Sequence, residues 1–122
     1  MLIRLSIATV IVISATIASA LADTDIETAN GVMPGCRGFL AAEASNSAAA
    51  AATMGDAYDY GFCTGHVAAV FHLVGRKCAP QAVPLDQNIR IVVQYIDSQP
   101  SRLHEPFDDL AAEAFIKAWP CH

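Results

Sequence analysis

A chain of 122 residues is long enough for one domain around one hydrophobic core and too short for two domains of ordinary size. Apolar residues make up 54% of it and the formal net charge is −5, one unit more negative without Arg4. That balance argues against nucleic acid and anionic lipid surfaces as partners, since both need clustered Lys and Arg, and only Arg76 and Lys77 stand together.

The first segment sets the expected compartment. Arg4 gives a short positive start, 5–17 is a run rich in Ile, Val and Ala, and small residues follow at Ala18, Ala20 and Ala22. This is the pattern of a secretory signal peptide over 1–22, cleaved after Ala22 or, as a second choice, after Ala20. An uncleaved anchor would need roughly 20 apolar residues, and this run is shorter. The expected product is an exported, periplasmic domain over 23–122 that has no membrane contact once the signal is gone.

Residues 23–30 are polar and acidic and read as a frayed start, with a first helical turn at most. Val32, Met33, Phe39 and Leu40 surround Pro34 and Cys36, and proline in a first helical turn costs no backbone hydrogen bond, so a short first helix is expected to start there. The stretch 41–53 is nearly all Ala, Ser and Asn. It favours helix by propensity but has no large side chain to anchor it, so it is expected to be the most mobile segment.

Asp56 is the expected N-cap of a long second helix running to about Val74, with Tyr58, Phe62, Val67, Val70, Phe71 and Val74 at three- and four-residue steps. Gly75 is expected to end it in a left-handed conformation, with Arg76 and Lys77 favourable at its carbonyl end. Pro80 and Pro84 extend the connection that follows. A third helix starts at Asp86 with Leu85, Ile89, Val92, Val93 and Ile96 on one face. Pro100 breaks the pattern, and a fourth begins near Pro106 with Phe107, Leu110, Ala111, Ala114 and Ala118 inward. With no alternating stretch of useful length, the expected class is all-α, a small bundle of about four helices.

All four cysteines, Cys36, Cys63, Cys78 and Cys121, fall in the mature part, and an even number in a small exported domain points to two disulfides. Metal binding or a reactive thiol is the competing reading, but no Cys-x-x-Cys pair occurs. Three pairings are open. If the first two helices run antiparallel, the start of the first lies beside the end of the second, which favours Cys36 with Cys78 and leaves Cys63 for Cys121. Pairing Cys63 with Cys78 would fold the chain back over about three helical turns.

Signals for catalysis are absent. His66 and His72 are six apart and turn to different faces of the second helix, His104 and His122 stand alone, and no nucleophile is placed beside any of them. Glu105, Asp108, Asp109 and Glu113 read as the solvated face of the fourth helix. Gly61 and Gly65 flank Cys63, and close helix packing around a disulfide is the expected reason for them. There is no phosphate loop, dinucleotide fingerprint, zincin motif or serine elbow. No catalytic, cofactor or metal residue is therefore assigned, and binding is the expected class of function.

The ordered set Gly61-Phe62-Cys63-Thr64-Gly65-His66, Cys78-Ala79-Pro80, Val92-Val93-Gln94-Tyr95-Ile96, Gln99-Pro100, Leu103-His104 and Ala118-Trp119-Pro120-Cys121 resembles the Rap/Tai immunity family. The resemblance covers about 33–121; 41–53 matches nothing in it, and His66 stands where an aromatic residue is usual. It implies a small periplasmic helical protein that binds and blocks a peptidoglycan amidase toxin delivered by type VI secretion, by occlusion and not by chemistry. A stress or chaperone-like periplasmic protein without a toxin partner is the alternative. The partner-binding face is not readable from the residues, and oligomeric state, a homodimer included, stays open.

Overall fold

A computed structural model of the chain describes residues 25–45 and 53–122. The expected signal peptide over 1–22 and most of the Ala-rich stretch lie outside those residues. Among the described residues four helices carry the fold, α1 (Ala29–Ala44), α2 (Met54–Leu73), α3 (Leu85–Asp97) and α4 (Phe107–Ala118), with 3₁₀ turns at Asp25–Glu27, Gly75–Lys77 and Pro100–Arg102. The all-α expectation holds. The largest interfaces are α1 with α2 and α3 with α4.

The first helix begins five residues before Pro34 because Thr28 caps it. The Thr28 hydroxyl oxygen accepts from the Gly31 amide, while the amides of Ala29 and Asn30 donate to the carbonyls of Glu105 and Leu103. The donors that a helix start leaves unpaired are thus taken up by the segment before α4. Pro34 lies inside the helix, on its exposed side, where it removes the bond that the Asn30 carbonyl would otherwise accept. Ala29, Val32, Met33, Gly35 and Cys36 form the buried stripe.

Asp56 does not cap α2. Thr53 does, and Asp56 is the third helical residue of a reciprocal capping box: the Asp56 amide donates to Thr53 Oγ1 and the Thr53 amide donates to the Asp56 carboxylate, each at 3.0 Å. Gly75 is buried but not left-handed, since no described glycine has a positive φ. Its reason is space. A Cβ there would stand 2.7 Å from the Phe71 ring and 3.2 Å from Phe115. Gly75→Ala should therefore cost about 1–3 kcal/mol by overpacking, read as a lower urea midpoint with an unchanged slope.

Helix α3 shows the expected face, with Ile89, Val92, Val93 and Ile96 buried. On α4 the inward set is Phe107, Leu110, Ala111, Ala114 and Phe115. Ala118 is exposed, and the large ring one step beyond Ala114 takes the place expected for it. Phe115 meets Phe71 edge-on at 5.4 Å between centroids and stacks on Trp119 at 5.9 Å.

The disulfides join Cys36 to Cys63 and Cys78 to Cys121, which corrects the expected pairing of Cys36 with Cys78 and Cys63 with Cys121. The cause is the earlier start of α1. Cys36 follows seven residues of helix, about 10 Å along the axis at 1.5 Å per residue, so it meets the middle of α2 and not its end. The close approach there is made by α1: a Cβ on Gly35 would run into the Asp59 backbone carbonyl, and one on Gly38 into the Tyr60 ring. Cys78, just past the Gly75–Lys77 turn, is then free to hold the chain end at Cys121.

Candidate partner interface

The polar residues of the fourth helix are not merely solvated. Arg102, in the turn before α4, uses its whole guanidinium: Nε and Nη2 donate to the Glu105 carboxylate at 2.9 and 2.7 Å, and Nη1 and Nη2 donate to Glu113 at 2.7 and 2.8 Å. The Tyr95 hydroxyl on α3 donates to the same Glu113 at 2.6 Å. Two bidentate contacts on one planar fork therefore tie together α3, the Pro100–Arg102 turn and α4.

Hydrogen bonds from Arg102 and then Tyr95 hold the Glu113 carboxyl down at about 2, against an ordinary 4.5. Arg102 also lowers Glu105, and the Glu113 contact raises the Tyr95 phenol. A carboxylate depressed in the folded state stabilises the fold above its unfolded value, and that contribution is withdrawn as pH falls through the folded one. Stability should thus decline from about pH 4.5 towards about pH 2. Urea midpoints of wild type and Glu113→Gln across that window check it, with the variant showing the flatter profile.

His66 Nδ1 lies 2.7 Å from Asp108 Oδ1, at the start of α4. Its ring sits between Phe62 at 4.5 Å and Phe107 at 6.0 Å, edge-on to both. The imidazole at the position where the resemblance has an aromatic ring therefore still packs as a ring, and its nitrogen ties α2 to α4. The nearby hydroxyl of Thr64 donates to the Gly61 carbonyl. His72 contacts Arg76 Nη1 at 3.5 Å. Among the described residues no three His, Cys, Asp or Glu side chains are grouped to hold a metal ion.

Among the described residues no neighbouring helix approaches Gly61 or Gly65. Both are exposed, and a Cβ at either would meet nothing within 4 Å. They belong to an outward stripe of α2 at three- and four-residue steps, which starts at Met54 and Tyr58, 88% and 65% exposed, and ends beside Leu73, 75% exposed. Ile26, on the turn before α1, adds a further large apolar side chain that is 53% exposed. Scattered apolar residues on a surface are ordinary, but a run along one helix face marks an interaction site.

The family model for Rap1a immunity proteins matches residues 28–121, from the cap of α1 to the last cysteine. The chain belongs to the Rap1a immunity protein family. The match bears out the resemblance carried by the ordered motifs, and membership implies a protein toxin as the partner. Proteins of the Rap1a family are typically periplasmic. Among the described residues no helix is long and apolar enough to cross a membrane. No curated protein and no solved structure matches the chain.

Proposed function

We propose that residues 23–122, freed of a signal peptide over 1–22, act in the periplasm as an immunity protein that binds a peptidoglycan amidase toxin delivered by type VI secretion and occludes its cleft. The observation that carries the reading is the Rap1a match over the whole described bundle. The bundle also has the build of a rigid recognition body, with two disulfides, the Arg102 network and exposed Met54, Tyr58 and Leu73 at the two ends of one helix stripe. Inhibition by occlusion needs no chemistry from the inhibitor, only a surface that stays in place.

The test is direct. The purified mature chain is mixed with the peptidoglycan amidase effectors encoded in the same genome, and peptidoglycan cleavage and binding are followed together. Inhibition with micromolar or tighter affinity, at least about 8 kcal/mol of binding free energy, supports the reading. Failure to bind or inhibit any of them at that concentration defeats it.

A further inference from the structure

Between the Asp25–Glu27 turn, which lies against α1, and α2, a pocket of about 140 Å³ is lined by Asp25, Ile26, Gly31, Tyr58, Asp59 and Phe62. Its aromatic wall is the Tyr58 and Phe62 pair, stacked at 5.8 Å between centroids and 17° between planes. Two of the lining residues, Asp25 and Asp59, are acidic and exposed. The Thr28 hydroxyl lies nearer the Asp25 carbonyl, at 2.8 Å, than the Asp25 carboxylate, at 3.3 Å, and neither Asp25 nor Asp59 has an ion-pair partner among the described residues. Five cations of the described residues are engaged elsewhere: Arg37 with Asp97, Arg90 with Asp86, Arg102 with Glu105 and Glu113, Arg76 with His72, and Lys117 over the Tyr95 ring.

The pocket is smaller than the roughly 300–1,000 Å³ that holds a drug-sized ligand, and its size suits one planar head group. An aromatic face attracts a cation through the ring quadrupole, more strongly once water is excluded. Guanidinium adds planar stacking and paired donors for carboxylates, which an ammonium lacks. Beside the pocket the helix surface is bare at Gly61 and Gly65, so a partner backbone can lie along α2 closely enough to deliver a side chain past Tyr58. Those glycines weaken the helix relative to alanine, and no neighbour among the described residues requires them.

We infer that this pocket takes an arginine side chain of the protein partner, stacked on Tyr58 with its guanidinium between Asp25 and Asp59. The inference rests on the reading of the chain as an immunity protein, and it identifies the face by which the partner is held.

Two measurements test it. The isotope-labelled mature chain is titrated with N-acetyl-arginine amide, and the amide signals of Gly31, Tyr58, Asp59 and Phe62 should shift and saturate, while those around Asp108 and Asp109 stay still. Tyr58→Ala and Asp59→Asn should abolish the response with the rest of the spectrum unchanged. Equal shifts at both acidic regions, the same response to N-acetyl-glutamine amide, or no saturating shift would overturn it. So would a dimer in sedimentation that Tyr58→Ala splits, since a second copy would then cover the face.

The second measurement uses those amidase effectors, for which Asp59→Asn should weaken binding at least tenfold, about 1.4 kcal/mol. If these amidases all ignore the wild type while arginine amide still saturates the pocket, the immunity reading fails and the pocket stands. If an amidase binds wild type, Tyr58→Ala and Asp59→Asn equally well, the pocket is wrong and the immunity reading stands.

Discussion

Replacing Cys36 and Cys63 together by alanine should lower the stability of the bundle by about 2–5 kcal/mol, a large share of what a domain of this size possesses. Two effects act in the same direction. The bridge spans 27 residues, so in the chain-entropy model it removes about 3.5 kcal/mol of unfolded-state freedom. Both cysteines are fully buried, and losing their sulfur atoms opens a gap at the point where Gly35 brings α1 against the α2 backbone. Alanine is the right replacement, because serine would add two hydroxyls to a site that offers them no partner. Urea denaturation of the paired variant, oxidised at Cys78 and Cys121, measures the effect.

Stepwise reduction should separate the two bridges. Thiol exchange requires access to sulfur, and Cys121 is exposed while Cys36 and Cys63 are covered. Alkylation under mild reductant should first trap a species labelled at Cys78 and Cys121, identified by mass spectrometry of the peptides. Labelling that begins at Cys36 and Cys63 would contradict the burial.

Helices α3 and α4 were legible in the sequence because each is bounded by proline, although on α4 the inward set missed Phe115 and included the exposed Ala118. The third helix is the clearest case, with four of its five expected core residues buried and Leu85 at 38% exposure. The start of α1 was not legible. Pro34 is a stronger local signal than Thr28, and what makes Thr28 the cap is tertiary: the carbonyls of Leu103 and Glu105, some seventy residues on, receive the first amides of the helix. From that one displacement follows the wrong cysteine pairing, because a shift along the helix axis moves Cys36 from one end of α2 to its middle.

The role of Gly61 and Gly65 was misread for a related reason. Glycine at four-residue spacing signals close approach without saying by what, and Cys63 between them suggested the disulfide partner. The helix that does approach uses its own glycines, Gly35 and Gly38. The Arg102 cluster was also hidden, since Glu105 and Glu113 read, with Asp108 and Asp109, as one solvated face and Arg102 carried no signal of its own. Only the turn at Pro100–Arg102, which swings the guanidinium across both carboxylates and Tyr95, makes one network of them.

Phe115→Ala should be the most damaging single substitution outside the cysteines, at about 3–5 kcal/mol. The ring has no exposed surface and stands between the edge of Phe71, the face of Trp119 and the space that Gly75 keeps open. These neighbours come from α2, from the turn that follows it and from the end of α4, so a void there loosens the junction that Cys78 and Cys121 staple shut. The staple prevents the chain end from leaving but supplies no atoms to refill the hole, so the cost should persist with both disulfides intact. Phe115→Leu, which keeps most of the volume, should lose clearly less. Urea midpoints of the two oxidised variants decide the matter: equal losses would mean that ring contacts, and not filled space, hold this corner of the bundle.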